Sequence, residues 1–212
     1  MTASSSIYEQ ALGDDWHRLA PVLRRHYGLA AGESVTATGS MSRVYHAAIL
    51  HPALIVGGWI GLLFPEQGEN VPTTLVNTCG EDADGQAYVD WQRTLRFTSA
   101  DGSERVRQFN SRMTPWSRGD ERLVVETVAL RQAVAIRLSV DDTGALVYNS
   151  TGFYTKLGSV MLPVPAPARI YTAEWAHPTQ ADMFCMKFTM TLPVFGIVLG
   201  YEGEFQLTEP VG

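Results

Sequence analysis

Two runs of period-two alternation, YVDWQRTLRF and RVRQFNSRM, flank an Asp101-Gly102 turn between Tyr88 and Met113. Alternation on both sides of an Asp-Gly pair is the pattern of a β-hairpin. It fixes which side chains share a face, because successive side chains of a strand point to opposite sides. Val89, Trp91, Arg93, Leu95 and Phe97 fall on one face, four apolar groups and one guanidinium. A charge on the inward face needs a partner, so Arg93 is the first candidate for a functional residue.

Further strand patterns follow at short intervals, separated by turn signals. Val35–Tyr45, Leu75–Cys79, Arg122–Val128 and Ala133–Val140 are β-like, and the DDTG turn at 141–144 leads into Ala145–Tyr154. Ile170–Trp175, Met183–Thr191 and Ile197–Leu207 complete a set of about nine strands at the spacing of an all-β sandwich or barrel. The proline-rich LGSVMLPVPAPA is excluded from a central strand and is expected to be a long extended crossing loop. Leu12, Trp16, Leu19, Leu23 and Tyr27 recur at spacings of three and four, which predicts helix over 7–27 with Gly28 as its stop. Ala47 to Phe64 is expected to be a buried helix interrupted at Pro52, followed by the loop PEQGENVP. The expected architecture is mainly β (α+β). It is one domain over 1–212, a strongly curved antiparallel sheet or β-barrel-like cup with N-terminal helical elements packed on it or closing one end.

Composition narrows the function classes. The formal net charge of −6 and the absence of a basic run make the chain a poor candidate for nucleic acid or an anionic membrane surface. Cys79 and Cys185 belong to no CxxC or Cys/His cluster, so no metal site is expected, and the two predict buried free thiols in a reducing cytoplasm. MTASSSIYEQ lacks the basic and apolar regions of a signal peptide, and Ala47–Phe64 is too interrupted to insert stably in a membrane. A cytoplasmic protein is the expectation, with a homodimer left open as its assembly state. No GxGxxG or Walker sequence occurs, so any catalysis is expected to be cofactor-independent.

The candidate site is assembled from faces. Glu126 shares a face with Val124 and Val128 and is the natural partner of Arg93, in a pair expected to be bidentate. Ser111 alternates with Phe109 and Met113, which points it inward as a hydrogen-bonding group. It has no nucleophile elbow around it. Phe184, Met186, Phe188 and Met190 form one face of a late strand and suit either a packed core or the wall of an apolar cavity. Tyr201, Tyr148 and Tyr154 are hydroxyl donors on strands. Of His17, His26, His46, His51 and His177, each is expected to be an exposed or satisfied loop histidine, and His177 is the one assigned a proton-transfer role at a pocket rim. Glu66 and Glu69 are expected in solvent.

Several stretches in fixed order resemble the DUF4166 family, a domain of unknown function. They are LGDDWHRLAPVLRRHYGL at 12–29, GLLFPEQGENVP at 61–72, WQRTLRF at 91–97, FNSRM at 109–113 and ERLVVE at 121–126. LPVPAPARI at 162–170 and LPVFGIVLGYEGEF at 192–205 complete the pattern. The resemblance implies a stand-alone version of a domain that in other members follows an oxidoreductase-like or epimerase-like domain. It supplies no catalytic residues to carry over. Gly200 departs from the polar residue, often histidine, that many members place before Tyr-x-Gly.

The resulting expectation is a cup that binds a hydrophobic small molecule bearing a carbonyl or carboxylate. It would act on that molecule as a cofactor-independent isomerase or cyclase in secondary metabolism. Arg93 would stabilise negative charge on an oxygen. Glu126 or His177 would move a proton and Tyr201 would orient the substrate. Trp91, Ser111, Met113, Tyr148, Phe184, Met186, Phe188 and Met190 would form the binding wall. A non-catalytic carrier or sensor using the same cavity, and a structural interaction module with a filled interior, are the alternatives.

Overall fold

The structure, a computed structural model, describes residues 6–59, 64–99 and 101–208. Its strands are β1 (Ser34–His46), β2 (Gly68–Glu81), β3 (Ala87–Thr98), β4 (Glu104–Arg118), β5 (Glu121–Thr127) and β6 (Gln132–Val140). They continue with β7 (Leu146–Leu157), β8 (Val160–Val164), β9 (Arg169–Ala176), β10 (Met183–Leu192) and β11 (Gly196–Thr208). The sheet order is β6-β5-β4-β3-β2-β1-β11-β10-β9-β7, and β7 pairs back onto β6, so ten antiparallel strands close into a barrel. Closure leaves no open edge among these ten. The alternation seen in the sequence maps directly onto the pleat. Val89, Trp91, Arg93, Leu95 and Phe97 are all buried. The hairpin pairs Trp91 with Ser111 and Arg93 with Phe109 across its two strands.

The helical region packs into one end of this barrel as three short pieces rather than one helix. α1 (Ile7–Leu12) is capped by the Ser6 hydroxyl, a 3-10 turn covers Gly13–Arg18, and α2 (Pro21–Tyr27) starts with Pro21 in its first turn. Proline is well placed there because the first N–H groups of a helix have no intrahelical partner. Gly28 ends α2, as expected. Ile7, Tyr8, Leu23 and Tyr27 are fully or almost fully buried and form a plug. Burial of each such side chain contributes roughly 1.5–3 kcal/mol. The plug is keyed by polar atoms: the Tyr8 hydroxyl accepts from Trp91 Nε1 at 3.1 Å and contacts Met113 Sδ at 3.1 Å. His26 is buried, with Nε2 3.0 Å from Asn77 Nδ2. It is a plug residue, not a loop histidine.

Three expectations are corrected at the opposite end. The proline-rich stretch is not all loop: Val160–Val164 forms β8, which pairs with Phe153–Leu157 of β7 outside the ring of ten. Pro163 is tolerated because an edge strand does not need its missing N–H. β2 begins at Gly68, so most of PEQGENVP is strand, and Pro72 pairs only with β1, before β3 joins at Thr73. The apolar run after β1 forms a 3-10 turn over Ala48–Leu50 and α3 (His51–Trp59). It is not buried: Ile49, Ile55 and Val56 stay exposed and Leu54 is covered. Residues 60–63 of that run lie outside the described residues. Among the described residues no helix is long and apolar enough to cross a membrane. Cys79 and Cys185 are buried free thiols, with burial pushing both pKa values up.

Candidate functional site

The plug fills only part of the barrel. Beyond Trp91 and Met113 the interior opens into a cavity of about 290 Å³, at the lower edge of small-molecule sites. Register explains its walls. Thr172, Phe188 and Tyr201 lie side by side on β9, β10 and β11, and one pleat deeper Glu174 faces Met186. Ile170, Met190 and Leu199 form the layer nearer the mouth, with Phe64, Phe109, Val128 and Phe153 around the opening.

The polar groups in this apolar wall are few and ordered. Arg93 donates from Nη2 to Glu126 Oε1 at 2.9 Å and from Nη1 to Ser111 Oγ at 3.2 Å. Ser111 in turn donates to the same Glu126 oxygen at 2.7 Å. The pair is therefore monodentate, with the serine as the third member, where a bidentate pair is expected from sequence. The reason is lateral offset: Met113, not Ser111, stands directly opposite Glu126 in the ladder, so the guanidinium reaches the carboxylate obliquely. The Arg93 plane also lies over Trp91 and Phe109, with centroids 4.6 and 5.0 Å from its central carbon. Such stacking suits guanidinium better than ammonium. Burial opposes the Arg93 charge, but attraction to Glu126 outweighs it and raises the pKa. Two of its five N–H groups are used, and Nε is buried without an acceptor among the described residues.

A second carboxyl lies deeper. Glu174 is 1% exposed, lines the cavity, and accepts a short hydrogen bond from the Tyr27 hydroxyl of the plug. Burial raises its pKa to about 7, against the opposing pull of the Tyr27 hydrogen bond and of Arg93. Tyr148 lines the same region with its hydroxyl buried and unpartnered among the described residues. Sequence reasoning misses Glu174. In IYTAEWA the bulky Tyr171 and Trp175 suggest an inward face that is in fact exposed. The available signal is parity alone: the hairpin register places Glu174 opposite Met186, on the face shared with Phe188.

The other predicted residues divide cleanly. Trp91, Met113, Tyr148, Met186, Phe188, Met190 and Tyr201 line the cavity, and Ser111 supports it through Arg93. Tyr201 stacks face to face on Phe188 at 4.5 Å, and burial drives its pKa well up. Phe184 points inward but lies beneath the plug, stacked on Phe205 at 5.6 Å and against His26. His177 is not at the rim. It sits in the β9–β10 turn at the plugged end, with Nε2 3.8 Å from Glu204 Oε2, and the carboxyl groups that line the cavity are Glu126 and Glu174. Tyr154 is on the outer face, edge-on to Trp116. Glu66, expected in solvent, is largely buried in an ion pair with Arg107. Gly200 faces away from the cavity under the Tyr45 ring, where a Cβ would come within 2.6 Å of the hydroxyl. A polar side chain at that position therefore does not reach the interior. Among the described residues no cluster of three metal-binding side chains occurs.

A family model described as "Domain of unknown function (DUF4166)" matches residues 19–205. A curated relative, the "Uncharacterized protein YndH" of Bacillus subtilis (strain 168), is 30% identical over 94 residues, which is 44% of this chain and 45% of that protein. The chain thus matches less than half the length of this relative. Among solved structures, the dehydratase domain from the CurJ module of curacin polyketide synthase aligns over 82% of this chain and 75% of that one, with 6% identity and TM-score 0.20. A protein of unknown function from the DUF3598 family of Nostoc punctiforme aligns over 93% and 100%, with 10% identity and TM-score 0.17. Likenesses this slight carry no argument here.

Proposed function

The chain belongs to the DUF4166 family, and from that premise we propose that its barrel binds an apolar small molecule through one carbonyl or carboxylate oxygen and shifts a proton on it without a cofactor. The observation that carries this reading is the Arg93–Ser111–Glu126 cluster set in the wall of an otherwise apolar cavity, with Glu174 deeper in the same space. Arg93 supplies unused N–H donors where a negative oxygen would develop. Glu174, with a pKa of about 7, is ionised and protonated in comparable amounts near neutrality, as a group that both takes and returns a proton requires. In the reaction so read, the Glu174 carboxylate removes a proton from the carbon next to the carbonyl. The C–H electron pair moves onto the oxygen beside Arg93, and the resulting carboxylic acid returns the proton to a different carbon of the conjugated system. The product is an isomer, and no co-reactant is consumed.

A non-catalytic carrier is the second reading, favoured by the hydrogen bonds with which Ser111 and Glu126 already occupy Arg93. A structural module with a filled interior draws no support from a barrel with a 290 Å³ cavity.

Native mass spectrometry of the purified protein, followed by extraction, is the first test. A retained apolar carbonyl or carboxylic compound is expected. Incubation of that compound with the protein in D2O is then expected to place deuterium on carbon, and Glu174→Gln to slow this by about 10²–10⁴-fold while binding persists. Retention without exchange selects the carrier. Neither retention nor exchange, with extracts of several sources, refutes both.

A further inference from the structure

The two ends of the barrel differ in chemistry. All but Trp175 of the large apolar side chains that stay exposed among the described residues belong to the mouth half. They come from most segments around the opening, namely Ile49 and Val56 after β1, Leu130 between β5 and β6, Leu162 on β8, and Val194 and Phe195 at the β10–β11 tip, while the β3–β4 turn is polar and carries Asp101 and Glu104. Val194 is 101% exposed and Leu130 62%. Both are held at positive φ, 72° and 55°, a region that costs side-chain-bearing residues energy and is populated where surroundings impose it. The rim is continuous with the apolar layer of Phe64, Phe153 and Ile170 inside the opening.

Charge is segregated the same way. Acidic side chains crowd the turns of the plugged end, among them Asp82, Asp84, Asp120 and Asp142. Around the mouth, Arg131, Lys156 and Arg169 form no ion pair among the described residues. They alternate in sequence and space with Leu130 and Leu162. The net charge of −6, which argues against an anionic partner when averaged over the chain, is thus concentrated away from the mouth.

We propose that this rim docks the open end of the barrel on an anionic lipid bilayer, with the cavity mouth set against the lipid. Apolar side chains flanked by unpaired cations are what peripheral binding to anionic lipid requires. The acidic plugged end, repelled by the same surface, sets the orientation with the mouth down. A second copy of the chain fits less well, because an isologous contact between two mouths would bring Arg131, Lys156 and Arg169 against one another. The proposal rests on the outer rim and not on any chemistry inside.

Flotation of the full chain with phosphatidylcholine vesicles, with and without 30 mol% (roughly the anionic fraction that gives a strong surface potential) phosphatidylglycerol, tests it. Binding is expected to the anionic vesicles at low salt and to weaken in higher salt. Val194→Asp with Phe195→Asp, at an exposed turn, is expected to abolish flotation without lowering the thermal midpoint. Arg131→Gln, Lys156→Gln and Arg169→Gln together are expected to weaken it about 100-fold, at about fivefold per cation, and to remove most of the salt dependence. An Arg93→Met/Glu126→Met variant is expected to float unchanged, which separates this proposal from the ligand chemistry. Absence of flotation with anionic vesicles, or flotation indifferent to the rim substitutions, overturns it. So does a dimer in light scattering that the Asp substitutions dissolve while vesicles remain unbound, since the rim is then a protein interface.

Discussion

Arg93 owes its place to three different forces, and they predict different outcomes when it is changed. The guanidinium is 8% exposed in its side chain, while Glu126 retains 19%. Replacing Arg93 alone by Met strips the carboxylate of its partner, and breaking a mostly buried pair costs about 3 kcal/mol. Replacing both Arg93 and Glu126 by Met removes the desolvation cost together with the attraction, and stability is expected to return to within about 1 kcal/mol of the native chain or above it. Urea midpoints of the three proteins check this. If the double variant is as unstable as the single one, Arg93 is held in place by its stacking on Trp91 and Phe109 rather than by charge. Ligand retention should be lost in both variants under the proposed function. The pair was legible in the sequence because alternation alone puts Arg93 among four apolar neighbours. Its geometry was not, since the interposed Ser111 and the oblique approach depend on the register between β4 and β5. Glu174 was hidden because the two aromatic residues of its strand, Tyr171 and Trp175, face outward.

At the scale of elements, two segments at the mouth depart from expectation for one cause. For the run at 47–64 and the stretch at 157–168, composition reports how apolar or proline-rich a segment is and not what covers it. Barrel closure decided the outcome. Once ten strands have closed on themselves, the run after β1 and the β7–β8 hairpin lie at the mouth, and their apolar side chains have no core left to enter. The β10–β11 tip shows the energetic side of this. Val194 at φ 72° bears strain of about 1–2 kcal/mol, against which glycine at the same place would lose about 0.5–1 kcal/mol in chain entropy. Val194→Gly is therefore expected to raise the thermal midpoint by about 2 °C, and to weaken vesicle flotation, because the most exposed apolar side chain of the rim is gone. Calorimetry and flotation on the same preparation read the two effects. A variant that gains neither stability nor loses binding would mean that the strain is relaxed in solution and the side chain idle.

For the whole molecule, two buried groups set opposing pH dependences. Glu174 is raised to about 7 from 4.5 by burial, so between those values the folded protein holds a proton that the unfolded chain has released. Its contribution to stability is complete at low pH and falls as pH rises to about 7. His26 is lowered to about 3 from 6.5, also by burial, so between those values the unfolded chain holds a proton that the folded protein does not. Its contribution is complete above about 6.5 and falls as pH is lowered toward 3. Between roughly pH 4.5 and 6.5 the two proton differences cancel, and these groups together leave stability flat. Glu174→Gln removes one side of the balance. The variant is expected to gain on the native protein by about 3 kcal/mol, on the order of two and a half pH units at 1.36 kcal/mol each, as pH rises from 4.5 to 7. Urea unfolding of both proteins across that range measures the difference directly, free of the many surface groups they share. Parallel curves would show Glu174 ionised in the folded state well below pH 7, and with that the proton-transfer role proposed for it would fail.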